Sequence, residues 1–480
     1  MPELPFFWRF SLVVGAVAGL VSCFTWARVP NGAAPNPNPP VESGRSGVSQ
    51  ASALPDRNNA QKYWDSPSEE RADGLRSWMQ LGDSLMQRSR ETADASLYER
   101  AESAYRRALA FDPHHVPALV GMAWVSNSKH DFSAGRSWAK EALAQDPNAT
   151  EAHALLGDAA VETGDYDEAF DHYQTCLDER PNLASYARSA HLLWLTGDSR
   201  RAKALMLRAL NAGGPHAENS AWCRAELALM MLNEGALVPA EKQAEQAFAE
   251  APNNPHVLGV VGRIKTARQD YPASIRYYEQ ALAIVPQHAT MAALTDLYAL
   301  TGEPAKSAQM FQRVLDFHAP GGPGHPHSHT NIVGATNAPT HGNIELARFL
   351  ADHDRNLEEA LRLAELAAES SKSVSTEDTL AWCYHKRGRN EEAQKVIRKA
   401  LRWNTPDASI LFHAGMIQAA AGDRPAAQKY LYQALNLNPN FHPTQAQIAA
   451  ETLKHLSAVK VSAESPQQTN PAIQRAPRAP

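Results

Sequence analysis

The tightest cluster of metal-ligating side chains in the chain is His325-x-His327-x-His329, with His318 before it and His341 after it. Imidazole suits zinc, copper or nickel, and Asp352, His353 and Asp354 stand a little way beyond. The stretch that carries the cluster, His318–Gly342, has no hydrophobic period and is dense in Gly and Pro. Such a chain does not hold an imidazole in place, and an ordered metal site needs neighbours that do. The sequence predicts a long loop here, functional or disordered as loops of this length usually are. His325, His327 and His329 are weak metal candidates, and neither a bound metal nor another cofactor is expected.

Other chemistry has less to stand on. No nucleophile has a base at motif spacing, no glycine-rich phosphate loop is present, and no paired carboxylates sit at a strand end, so no catalytic residue is assigned and no enzyme is expected. The formal net charge of −6 and the lack of any Lys/Arg block exclude the phosphate-neutralising stripe that nucleic-acid binding needs. Of the four cysteines, Cys176, Cys223 and Cys383 fall on the apolar sides of helical periods far apart in the chain, beyond the reach of a disulfide. They read as small buried hydrophobes.

The elements that carry these residues follow one pattern. Thr150–Pro181 holds two helical periods, the first with Leu156, Gly157 and Ala160, the second with Ala169, Tyr173 and Cys176, and Gly164-Asp165 separates them. Pro113, Pro147 and Pro181 stand 34 residues apart, as do Pro252 and Pro286. Variations of the same unit fill most of residues 70 to 440. With 44% hydrophobic residues the chain can bury a large core, and a repeated unit buries its apolar face against its neighbours in one elongated body rather than in separate globules.

A period of 34 with two helices per unit resembles the tetratricopeptide repeat family. Gly157 and Ala169 match the family's small positions, and Tyr173 is the bulky residue between them. The resemblance implies an all-α fold: a right-handed superhelical solenoid of antiparallel helix pairs that works as a scaffold. It also implies that the first helix of each unit lines a concave groove through its positions two, five, nine and twelve. Here these are Val120 and Trp124, then Asp158, then His191 and Trp194. Next come Trp222, Ala225 and Leu229, then Arg263, Asp378 and Trp382, and Phe412 and Met416. The lining departs from the carboxylate clamp of chaperone-binding relatives, which uses Lys, Arg and Asn. An aromatic groove for a protein or peptide partner is expected, and no nucleic-acid partner.

Outside the repeats, Phe10–Ala27 is eighteen uncharged residues between Arg9 and Arg28. That is just enough to span a bilayer as a helix. Leu20-Val21-Ser22-Cys23 also resembles a lipobox, in which Cys23 would carry the lipid. Residues 1–30 are therefore expected to be a signal anchor or lipoprotein signal segment. Residues 31–65, rich in Pro, Asn, Gly and Ser, follow as a disordered linker. Repeats then occupy 66–317, the His/Gly/Pro-rich loop 318–342, and further repeats with a capping helix 343–457, leaving a disordered tail at 458–480. Arg9 on the amino-terminal side favours repeats outside the cytoplasm, in the periplasm or at the cell surface. The function expected is a membrane-tethered interaction scaffold. The alternatives are a metal-binding or metal-responsive protein acting through the His-rich loop, and a hydrolase or transferase whose site is assembled across repeats.

Overall fold

The computed structural model describes residues 68–92, 94–214, 216–319, 322 and 340–463. Cys23, His325, His327, His329, the apolar segment Phe10–Ala27, the linker and most of the tail lie outside the described residues. Among the described residues, no helix is long and apolar enough to cross a membrane.

The described chain is all-α, with 21 helices and no strand. Ten antiparallel pairs follow one another. They are α1 Ser68–Thr92 with α2 Leu97–Phe111, α3 Val116–Ser128 with α4 Phe132–Gln145, and α5 Thr150–Thr163 with α6 Tyr166–Glu179. Next are α7 Leu183–Leu195 with α8 Ser199–Ala212, α9 Ala217–Asn233 with α10 Leu237–Glu250, and α11 Pro255–Ala267 with α12 Tyr271–Ile284. The last four are α13 His288–Leu300 with α14 Pro304–His318, α15 Thr340–Asp352 with α16 Leu357–Ser370, α17 Val374–Lys386 with α18 Asn390–Leu401, and α19 Ala408–Ala420 with α20 Arg424–Leu437. A single helix, α21 Gln445–Ala463, covers the last pair.

The turn inside each pair has a local cause. Gly164, Gly197 and Gly422 sit at φ of +85°, +74° and +81°, a left-handed conformation that costs glycine nothing and ends a helix. The aspartate that follows each of them caps the second helix: Asp165, Asp198 and Asp423 accept the backbone N–H of Glu168, Arg201 and Ala426. Each such cap stabilises a helix by about 1 kcal/mol. Inside the pairs, a ring fills the space that a missing side chain leaves. A Cβ on Gly157 would lie 2.3 Å from the Tyr173 ring, and one on Gly82 2.5 Å from Tyr105. Both tyrosine hydroxyls then donate to the aspartate beside the glycine, Tyr173 to Asp158 at 2.7 Å and Tyr105 to Asp83 at 2.9 Å.

In the first pair α1 runs to Thr92, and the turn after it is short. After Gly213-Gly214, α9 is 17 residues long. The structure differs from the sequence reading at the end of the array, where the capping helix continues past residue 457 to Ala463.

The solenoid also closes on itself. The turns inside repeats three, four and five rest against the turns that end repeats eight, nine and ten. The Lys372 N–H donates to the Thr163 carbonyl at 2.8 Å, and Ser371 Oγ donates to the Glu162 carbonyl at 2.9 Å. Tyr166 meets Trp403 edge to face at 5.5 Å. Apolar residues of both layers share one core, in which Leu183, Leu192, Met206 and Met230 pack with Val374, Ile397, Ile410 and Ile417. Backbone groups buried at such a contact must be paired, and here they pair across layers.

Candidate partner-binding groove

The first helices of most successive repeats pack on one another, among them α3 on α5, α9 on α11 and α15 on α17, whereas successive second helices are held apart. The first helices therefore form the inner wall of the superhelix, and every sequence-assigned groove residue lies on one of them. Their exposure divides them. Trp124 (2% exposed), Trp194 (3%) and Trp382 (4%) are buried, together with Asp158, Leu229, Asp378 and Phe412. Val120 and Ala225 are buried as well, and His191, Trp222, Arg263 and Met416 are half-buried and reach the surface. The expectation that these thirteen side chains line an open groove is thus corrected for the buried ones. The superhelix is tight enough that most inner-wall side chains meet the next first helix instead of solvent.

Each buried candidate has an identifiable partner or packing role. Asp158 accepts from Tyr173 and from Arg188 Nε at 2.8 Å, tying repeat three to repeat four. Trp124 lies beneath the Arg90 guanidinium, 5.2 Å from the ring centroid. Trp194 belongs to the core shared by the two layers. Leu229 packs with Val257, Val260 and Ile264.

A polar network runs through the inner wall of repeats eight to ten. Asp378 Oδ1 lies 2.9 Å from His413 Nδ1, and Arg348 pairs with Asp378 Oδ2 at 2.5 Å. His413 stacks on Trp382 with centroids 4.2 Å apart, and the Trp382 indole donates to Asp352 Oδ1 at 2.9 Å. Burial would raise the Asp378 carboxyl, but His413 and Arg348 beside it hold it below the usual carboxylate range. Asp296 behaves alike: burial pushes it up, and hydrogen bonds from His353 and His442 bring it well below its ordinary value. Among the described residues no hydroxyl or thiol is hydrogen-bonded to His413, so the pair lacks the nucleophile that an activated triad requires. Its visible work is to join three inner helices. Sequence reading singled out Asp378 and Trp382 but missed Arg348 and His413. The recurrence of contacts about 30 residues apart, as in Arg348 to Asp378 and Asp158 to Arg188, would have pointed to both.

The open part of the wall is on α9 and α11. Trp222 stacks on His256 at 6.5 Å with planes 27° apart, and His256 Nε2 lies 3.0 Å from Glu226 Oε1. Arg263 Nη2 donates to Asn233 Oδ1 at 2.9 Å. These contacts orient an indole, an imidazole and a guanidinium on one wall, groups suited to apolar and anionic parts of a peptide. Among the described residues Cys176, Cys223 and Cys383 are buried and unlinked, and burial pushes each thiol up, that of Cys176 to about 12, so none of these three is a ready nucleophile.

Residues 128–184 match a tetratricopeptide repeat model, and residues 379–407 and 408–441 match a second one. These stretches are tetratricopeptide repeats. They cover the second helix of the second pair with the whole third pair, and most of the ninth pair with the tenth. No curated protein matches the chain. Among solved structures, the human IFIT1 dimer with PPP-AAAA is 14% identical over 72% of this chain and 81% of that one, with a TM-score of 0.40. A thermophilic tetratricopeptide protein of Thermus thermophilus is 20% identical over 43% and 99%, with a TM-score of 0.34. PilF of Pseudomonas aeruginosa is 16% identical over 51% and 92%, with a TM-score of 0.28.

Proposed function

We propose that the chain is a membrane-tethered scaffold that receives a protein or peptide partner on the inner wall of its repeat array. Tetratricopeptide repeats generally mediate interactions between proteins. The observation that carries the reading is the half-buried surface of α9 and α11, where Trp222 stacks on His256 and Arg263 follows two turns further along α11, while Trp124, Trp194 and Trp382 are buried. The partner inserts an apolar side chain beside Trp222 and presents an acceptor to Arg263. Phe10–Ala27 supplies the tether, as a helix or through lipid on Cys23, and the repeats face away from the cytoplasm.

The test is affinity capture by the full chain solubilised from its native membrane, run beside Trp222→Ala and Arg263→Glu. The reading expects proteins retained by the wild type to be lost from both variants. An unchanged set on both would contradict it. Protease added to spheroplasts should digest the repeats, and fatty-acid labelling lost on Cys23→Ser would assign the tether to lipid.

A further inference from the structure

His288, His318 and Glu345 come together where the seventh repeat meets the eighth. His288 opens α13 and His318 closes α14, so the antiparallel pairing of these helices sets the two residues side by side. Glu345 lies in the second turn of α15. In the third repeat the corresponding start-to-end junction, one residue further into α5, holds the Glu151–Arg180 ion pair. In the seventh repeat it holds two imidazoles. His288 Nδ1 is 2.8 Å from His318 Nε2, and the ring centroids are 4.9 Å apart. One ligand atom from each of the three residues lies within 4.8 Å of the others, and all three side chains are half-buried. Phe349 and Phe317 flank the imidazoles, with centroids 5.8 Å from His288 and 5.1 Å from His318.

Two imidazoles that face each other make a hydrogen bond only when one presents a proton and the other a lone pair. A cation accepts a lone pair from both. Two imidazoles and one carboxylate are a donor set of zinc, with a fourth position left for water, while magnesium and calcium prefer oxygen alone. Tetrahedral coordination at about 2.0–2.1 Å spaces ligand atoms by roughly 3.4 Å, within side-chain rotation of the arrangement found. The setting adds a reason for a link. Other repeats are joined by turns as short as Arg180-Pro181-Asn182, whereas α14 ends at His318 and α15 starts at Thr340, so no short turn holds this junction.

We propose that His288, His318 and Glu345 bind one zinc-type divalent cation that ties the seventh repeat to the eighth. The site is distinct from the alternating histidines of residues 325–329 and uses none of them.

The test is titration of chelator-treated full chain with Zn²⁺ alone, by calorimetry and X-ray absorption. The expected result is one ion per chain with two imidazoles in its coordination shell. His288→Ala, His318→Ala and Glu345→Gln should each weaken binding at least tenfold, while a variant with His325, His327 and His329 all changed to Ala keeps that ion. Metal-free melts show whether each variant folds, and Glu345→Gln, alike in shape, carries the test if a histidine variant does not. Absence of binding, wild-type affinity in Glu345→Gln, or loss of the ion in the triple variant would overturn the proposal.

Discussion

The Asn438 side-chain amide donates to the Leu232 carbonyl at 2.8 Å, joining residues 206 apart in the chain and holding the end of the tenth repeat on the turn of the fifth. Asn438 is buried, and so is the carbonyl it satisfies. Asn438→Ala removes this bond while the Gly235 N–H still donates to the same carbonyl, and should lower stability by about 0.5–1.5 kcal/mol, the net worth of one hydrogen bond. Urea unfolding of the variant measures it; a midpoint equal to wild type would remove the bond from the closure.

Glu377 sits beside the same closure, on α17, and one of its oxygens is buried without a hydrogen-bond partner. Burial raises its carboxyl to about 7, against the pull of Arg402, Lys399 and Lys372. A raised carboxyl is favourable to the folded state when protonated. Its contribution is complete below the unfolded value near 4.5 and is lost as pH rises through about 7. Glu377→Gln should therefore be more stable than wild type above pH 7, by about 1–2 kcal/mol once screening by the nearby cations is allowed for. The gain should vanish near pH 4. Melts of both proteins across that range check it, and a constant difference would refute the titration.

Tryptophans of the inner wall should separate by burial. Trp124→Ala removes a buried ring and should cost about 3–5 kcal/mol of stability. Trp222→Ala, half-buried on α9, should cost less and instead weaken partner capture by about 2 kcal/mol, the scale of a hot-spot truncation. Thermal melts and capture assays on the two variants decide; equal losses of stability would return Trp222 to the core.

Gly157→Ala tests the packing of the third repeat. The new Cβ would stand 2.3 Å from the Tyr173 ring, so the ring must move and its hydrogen bond to Asp158 must weaken. A loss of about 1–3 kcal/mol is expected, as for other overpacked contacts. An unchanged melt would mean that the ring has room to move.

The repeats were legible because their signals are local. Gly164-Asp165, Gly197-Asp198 and Gly422-Asp423 combine a left-handed helix stop with a cap, and Gly157 with Tyr173 fits a ring to a missing side chain. The inner wall was legible as a set of positions, but not as a set of exposures. Whether Trp194 meets solvent or a neighbouring helix depends on how tightly the whole array winds, and no single repeat encodes that. The closure was invisible for a related reason. It is made by backbone groups at Thr163 and Leu232 and by the short side chains of Ser371 and Asn438, which add no period to the sequence. His288, His318 and Glu345 stand too far apart in the chain to read as one cluster.

The closure of the solenoid can be measured with two glycines that share a conformation and differ in what lies above them. Gly164 and Gly388 occupy the same turn of repeats three and nine, at φ of +85° and +75°. A Cβ on Gly164 would lie 2.4 Å from the backbone of Lys372 and Ser373, whereas one on Gly388 meets nothing within 4 Å. Both alanine variants carry the left-handed penalty of about 1 kcal/mol, and only Gly164→Ala must also push the two layers apart, at roughly 1–3 kcal/mol more. Denaturant unfolding of the pair should show Gly164→Ala less stable than Gly388→Ala by at least that margin. Equal stabilities would mean that the turns of repeats three to five do not rest on repeats eight to ten, and that the solenoid is open.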